Sequence, residues 1–344
     1  MADCLRKNLL IGIGHPLLDM TATVEKSFLL EYNLKENDAV IMSDNHKNLQ
    51  NRLLERYEVA YTVGGSIQNT LRIVQWITEL PNVTTFFGSV GNDQYAKILY
   101  EQALLDGVNV RYKYISGEPT GTCIVLITGE NRSLCTNPGS SKYFDFAHLL
   151  TTDNQFLLDT AKYYYMGGFF LNVSIETVRG ISKLAAKGDR QFLFNLSAPF
   201  ICYQHRDVLL ELLPYVDVIF GNKSEIEALS SCCELEGSTI DETIVLLSNW
   251  KKINSSRLRL VVVTQSEEPV LVGIDNRVLQ FSVPSLKNKI VDTNGAGDAF
   301  VGGFLSQFIQ DQAIETCIKC GIWAASQIIQ QIGCTYTGKA NFQI

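Results

Sequence analysis

Asp292-Thr293-Asn294-Gly295-Ala296-Gly297-Asp298-Ala299-Phe300 is the stretch on which the reading of this chain turns. Behind it, Phe300, Val301, Phe304, Leu305 and Phe308 recur at helical spacing, so the glycines stand where a buried helix begins. A helix start presents N–H groups without acceptors and the positive end of the helix dipole. Glycine lets that backbone approach an anion with no Cβ in the way. Asp298 falls in the first turn, where its carboxylate can face the same space. Donors for a moving phosphoryl group, beside a carboxylate that takes a hydroxyl proton, suit phosphoryl transfer. For a lone Gly-x-Gly-Asp, a turn with a dipole-favoured acid is the plainer alternative; the full nine residues weigh against it.

Working outward, the chain alternates between strand-like and helix-like segments. Leu9–Gly14, Val83–Val90, Tyr163–Met166, Gln191–Asn195, Val216–Phe220 and Leu258–Thr264 read as buried strands. Ile67–Ile77, Gln94–Leu105 and Ala313–Ile329 read as helices between and after them. Tyr112–Ile115 and Cys123–Thr128 look like short strands, and Leu271–Val283 like an edge hairpin turning at Asn276. This rhythm predicts an α/β fold, a mostly parallel sheet covered by helices. Residues 16–64 and 116–142 break the rhythm, with one helix-like stretch at Asn45–Glu55, and read as strand-rich excursions from the core. The expected division is therefore 1–15, 65–115 and 143–344 for a large nucleotide-binding domain, with 16–64 and 116–142 for a small one.

At 344 residues, 46% hydrophobic and 19% charged, the chain has material for a real core and too little charge for disorder. A net charge of −7 argues against a broad nucleic-acid-binding face. No apolar run approaches the ~18 residues of a membrane span, and no secretory segment is visible. Nine cysteines, an odd number scattered from Cys4 to Cys334, fit reduced thiols in the cytoplasm, with nuclear entry left open. Cys317-Ile318-Lys319-Cys320 has redox or zinc spacing but lies in an apolar helical pattern without a second ligand pair. Two other motifs are decoys. Gly12-Ile13-Gly14-His15-Pro16-Leu17 lacks a third glycine, and Gly333–Ala340 lacks the closing Ser/Thr of a P-loop.

Further blocks carry a resemblance. They include Gly12–Asp19, Gly64–Asn69, Pro119–Cys123, Thr128–Leu134, Gly168–Leu171, Asn195–Phe200 and Gly221–Glu225. With Asp292–Phe300 they make the chain similar, nearly end to end, to the adenosine kinases of the ribokinase-like (PfkB-type) carbohydrate and nucleoside kinase family. The resemblance implies a three-layer α/β/α fold with a small lid, hinged near Gly64-Gly65, that shuts out water. It implies a monomer transferring the γ-phosphoryl group of ATP directly to the 5′-hydroxyl of adenosine in purine salvage, with Mg²⁺.

The same resemblance implies roles for individual residues. Asp298 would be the general base, Gly295, Ala296 and Gly297 the anion hole, and Arg132 the lid cation over the phosphoryl group. Asp19, Asn69 and Gly65 would bind ribose, whose vicinal hydroxyls suit a carboxylate. Phe169 and Phe200 would wall the adenine, with Ile41 and Leu134 as apolar lid contacts. Asn294, Thr264 and Gln265 would lie near ATP. Asn222 and Glu225 match an Asn-x-x-Glu motif that organises Mg²⁺ through water, while the same residues fit a helix capping box. His15 stands where asparagine is usual, and Asn137–Ser141 differ from an alanine-rich run. A kinase of another nucleoside or sugar, and a non-catalytic nucleoside sensor, remain the alternatives.

Overall fold

The computed structural model describes residues 5–129, 131–235, 237, 239–286 and 289–343; Cys4 and Glu130 of the sequence reading lie outside the described residues. Fourteen strands run through them: β1 (Leu10–Ile13), β2 (Leu17–Thr23), β3 (Ala39–Ile41), β4 (Ala60–Gly64), β5 (Thr84–Gly91), β6 (Asn109–Ile115) and β7 (Gly121–Thr128), followed by β8 (Asn131–Asn137), β9 (Tyr163–Gly167), β10 (Gln191–Asn195), β11 (Val218–Asn222), β12 (Leu260–Gln265), β13 (Glu268–Ile274) and β14 (Arg277–Phe281). They form two sheets. The larger has the order β14-β13-β12-β11-β10-β9-β1-β5-β6, parallel except for the β13–β14 hairpin at one edge. The smaller has the order β3-β8-β7-β2-β4.

Parallel strands buried on both faces need apolar residues of both parities. Accordingly Ile11, Tyr164, Phe192, Ile219 and Val261 point into one core, while Leu10, Tyr163, Leu193, Val218 and Val262 point into the other. Helices cover both faces. Burying each such side chain contributes on the order of 1.5–3 kcal/mol, so the larger sheet is a rigid platform. The hairpin turns at Asp275 and Asn276, both at positive φ (47° and 61°), as a two-residue turn matched to strand twist requires.

The small sheet is one-sided. Its Ala22, Ile124, Leu126 and Cys135 pack on Phe28, Leu29, Leu49 and Leu53 from two short helices, Lys26–Glu31 and Leu49–Arg56. Leu17, Cys123 and Val125 face the other way as one buried cluster, and Leu17 and Cys123 reach the cavity against the larger sheet.

Most strand expectations hold with shifted ends: β11 and β12 start two residues later than periodicity predicts. The helix expected at Asn45–Glu55 begins instead at Leu49. A 3₁₀ turn at Asp44–His46 precedes it, closed by a capping box in which Ser43 N–H donates to His46 Nδ1 at 3.0 Å. β2 and β8 escaped periodicity, because Leu17–Thr23 and Asn131–Asn137 interleave polar residues that only pairing across the small sheet explains. Among the described residues no helix is long and apolar enough to cross a membrane.

Candidate active site

A cavity of about 570 Å³ opens where β1, β9, β10, β11 and β12 end, between the larger sheet and the inner face of the small one. Carboxyl ends of parallel strands are where open α/β sheets bind ligands. His15, Asp19, Ile41, Gly65, Asn69, Arg132, Leu134, Phe169, Phe200, Asn222, Glu225, Thr264, Asn294, Gly295, Gly297 and Asp298 all line it. Ala296 and Gln265 do not appear on its wall: Ala296 N–H turns back to Thr293 O at 3.3 Å, and Gln265 Nε2 donates to Pro269 O at 2.7 Å.

The floor is the start of the helix Ala296–Phe308. Gly295 precedes it at φ 78°, and a Cβ there would sit 2.8 Å from that of Cys334. The fold itself demands that glycine. At Gly297 a Cβ would meet nothing within 4 Å, so the bare backbone there faces open cavity. Asp298 is half-buried and held by two side chains of the facing helix Ser66–Thr78: Ser66 Oγ donates to Oδ1 at 2.6 Å, and Asn69 Nδ2 to Oδ2 at 3.0 Å. Burial raises its carboxyl above the ordinary range, against those two hydrogen bonds and the charge of Arg132.

The roof comes from the small sheet. Asp19 on β2 is buried, and burial lifts it to about 7, with the hydrogen bond from Asn294 pulling down and Asp298 and Asp292 adding to the rise. Arg132 on β8 donates through Nη1 to Asn294 Oδ1 at 3.4 Å. Gly64 and Gly65 lead from β4 into the helix beneath; a Cβ at Gly64 would lie 2.0 Å from Asp19 Oδ1, and one at Gly65 2.0 Å from His15 O.

At the far end, Phe169 and Phe200 stand 6.1 Å apart with planes 44° from parallel, an apolar cleft whose outer wall is 38% exposed. Ile41 is exposed at its rim. His15 sets its ring edge-on to Phe170 (5.6 Å), and its Nε2 is buried with no hydrogen-bond partner among the described residues. Burial pushes this imidazole down to about 4, so it is neutral at physiological pH and does not titrate there.

Asn222 and Glu225 do form the capping box. Asn222 Oδ1 accepts from Glu225 N at 2.9 Å, while Asn222 N and Nδ2 donate to Glu225 Oε2 and Oε1 at 3.1 and 2.8 Å. Burial raises Glu225 to about 7. Among the described residues no three His, Cys, Asp or Glu side chains converge as a metal cage.

Residues 27–340 match the family model described as pfkB family carbohydrate kinase. The chain belongs to the pfkB family. Within this pfkB family, it is 40% identical to adenosine kinase 2 of Arabidopsis thaliana over 97% of each chain, and 36% identical to an adenosine kinase of Dictyostelium discoideum over 94% of each. Anopheles gambiae adenosine kinase, solved with P1,P4-di(adenosine-5) tetraphosphate, superposes with a TM-score of 0.95 at 44% identity, over 98% of this chain and 100% of that one. Schistosoma mansoni adenosine kinase with 2-fluoroadenosine superposes at 0.93 and 29% identity, over 97% of this chain and 99% of that one.

Several residues of the site had not been singled out from the sequence. Ser66 lies three residues before Asn69, on the same helical face, a spacing that could have pointed to it. Cys123 sits opposite Asp19 on β7. Asp292 holds the loop itself: its Oδ1 accepts from Asn294 N at 2.8 Å and its Oδ2 from Gly333 N at 2.9 Å.

Proposed function

We propose that this chain transfers the γ-phosphoryl group of ATP to the 5′-hydroxyl of adenosine, giving AMP and ADP. The observation that carries this reading is Asp298, in the first turn of a helix whose glycine-bare start opens into the cavity that Asp19, Phe169 and Phe200 also line.

The chemistry follows from the positions. Asp19 accepts hydrogen bonds from the ribose diol, and Phe169 and Phe200 take the base. This points the 5′-hydroxyl at Asp298, whose carboxylate removes the proton as the oxygen attacks phosphorus. The O5′–P bond forms, the bond from the γ-phosphorus to the bridging oxygen breaks, and ADP leaves with that electron pair. N–H groups at the start of the helix, with the dipole behind them, and Arg132 above oppose the charge on the transferring group. Ser66 and Asn69 keep the carboxylate aimed. The small sheet over the cavity excludes water, which would otherwise compete as acceptor.

Asn222 and Glu225 supply oxygen donors at the cavity edge, and both Glu225 oxygens are already engaged by Asn222. This donor set fits Mg²⁺ held by phosphates and by waters that Glu225 orients, as a cation that keeps its hydration prefers. When bound, the ion neutralises phosphate charge. Thr264 and Asn294 border the region left for ATP. We place the protein in the cytoplasm as a monomer; the free thiols of Cys123, Cys135 and Cys202, among others, suit a reducing compartment.

The deciding experiment supplies Mg-ATP with adenosine, inosine, guanosine or ribose and measures phosphorylated product, for the wild type and Asp298→Asn. AMP formation in marked excess, lost by roughly 10²–10⁴-fold in Asp298→Asn with nucleoside binding retained, is the expected result. Preferred ribose phosphorylation would overturn the base pocket, and an active Asp298→Asn would overturn the general base.

A further inference from the structure

Arg72 is buried, 4% exposed, on the helix that carries Ser66 and Asn69. Its Nε donates to Asp106 Oδ2 at 2.5 Å, the two side chains being 5% and 9% exposed. Its Nη1 donates to Asn69 Oδ1 at 3.3 Å and to Cys334 O at 3.1 Å, and lies 3.5 Å from Val63 O at the end of β4. The Tyr336 ring covers the guanidinium at 5.7 Å. The contacts converge on the site from two sides. Asn69 passes its own hydrogen bond to Asp298, and the Gly333–Cys334 segment backs Gly295 and holds Asp292.

We infer that Arg72, anchored by Asp106, is a positioning residue, fixing Asn69 and the segment behind Gly295 and through them the carboxylate of Asp298. The inference rests on the general-base reading of Asp298. Arginine can only donate and a carboxylate only accept, so Asn69 between them has one amide orientation open to it. In a dry surrounding, donation into Oδ1 polarises the amide and strengthens the bond from Nδ2 to Asp298. Lysine in place of arginine keeps the charge beside Asp106 but loses the planar fork that reaches Asn69 and Cys334 together.

The test is kcat against pH at saturating adenosine for Arg72→Lys, alone and with Asn69→Ala. Adenosine calorimetry and thermal melting verify the fold. The groups facing Asp298 are Asp19 from β2, Arg132 from β8, Tyr165 from β9 and Cys334 from the C-terminal segment, and all are kept. Losing a polarised donor disfavours the carboxylate, so the acid limb moves to higher pH. The expected loss in kcat is on the order of 10-fold or more, as for a base displaced by a fraction of an ångström, with KM for adenosine nearly unchanged. The double variant loses less than the two single losses combined, because the route through Asn69 is shared and only the one through Cys334 remains. An unmoved acid limb, or losses that add in the double variant, overturns the inference. If Arg72→Lys does not fold, Asp106→Asn decides by the same limb: a shift to higher pH supports the anchor, and no shift overturns it. Asp298→Asn runs alongside. If it keeps turnover, the general-base reading fails; if it loses turnover while the Arg72 variant behaves as wild type, only this inference fails.

Discussion

Asn294 Nδ2 donates to Asp19 Oδ2 at 3.2 Å, joining the loop before the helix Ala296–Phe308 to the small sheet across 275 residues of chain. The other end of the same amide accepts from Arg132 Nη1. One side chain thus latches both polar groups of the roof to the floor.

Replacing Asn294 by alanine removes both bonds at once. Each hydrogen bond to a charged group contributes about 1.5–3 kcal/mol, partly recovered by water in the variant, so kcat/KM for adenosine falls roughly 10- to 100-fold. Asn294→Asp sets a second carboxylate against Asp19 and is worse than alanine. Steady-state kinetics on both variants check the order; an aspartate variant as active as wild type would refute the latch.

The two glycines of the loop should separate stability from activity. Gly295→Ala forces a side chain to φ 78° against Cys334 and lowers stability by about 1–3 kcal/mol. Gly297→Ala meets no protein atom within 4 Å, so its stability stays within about 1 kcal/mol of wild type, on the favourable side for a helix. Its methyl nevertheless fills space meant for phosphate, and turnover drops roughly 10²-fold. Melting curves beside turnover read out both, and an active Gly297→Ala would remove that backbone from the anion hole.

Asp19 gives a pH dependence with two opposite signs. Its carboxyl titrates at about 7 in the folded protein against 3.8 as the ordinary value, so the native state holds a proton that the unfolded chain has already released. Its contribution to stability is fully present below pH 3.8 and is lost as pH rises through 7. Asp19→Asn therefore stabilises the protein at pH 8, by an amount on the order of 1–3 kcal/mol. Nucleoside binding runs the other way, because the carboxylate is the better acceptor for two hydroxyls. Adenosine affinity measured without nucleotide should weaken from pH 8 to pH 6, and Asp19→Asn should bind weakly at both. Equal wild-type affinity at the two values would refute the carboxylate's role.

Glu225 separates capping from metal chemistry. Asn222→Ala loses the cap and about 1 kcal/mol of stability. Glu225→Gln keeps one acceptor for Asn222, gives up the second and carries no charge for the hydrated cation. The Mg²⁺ concentration giving half-maximal turnover therefore rises, while the loss in melting temperature stays no larger than that of Asn222→Ala. An unchanged Mg²⁺ titration would leave Glu225 as a cap alone.

Local chemistry made much of this legible. Apolar runs of strand length between helical periods named the parallel sheet, and Gly295–Asp298 before Phe300, Val301 and Phe304 named the glycine-bare start of the helix Ala296–Phe308. Where local pattern was silent, the reading stopped short. β8 reads Asn-Arg-Ser-Leu-Cys-Thr-Asn, which has no periodic signature; it is a strand because β7 and β3 flank it. Arg132, a solvated turn charge by local rules, thereby becomes a roof residue.

Sequence by itself determined which residue types could meet a phosphate, a hydroxyl and a base, since backbone freedom at glycine and helix polarity are properties of a few adjacent residues. Only the tertiary structure decided that Asn69 and Ser66 hold Asp298, that Asn294 bridges Asp19 and Arg132, and that Arg72 stands behind them. Those partners lie up to 275 residues apart, and a hydrogen bond needs about 3 Å, a proximity set by how two sheets and their crossing helices pack.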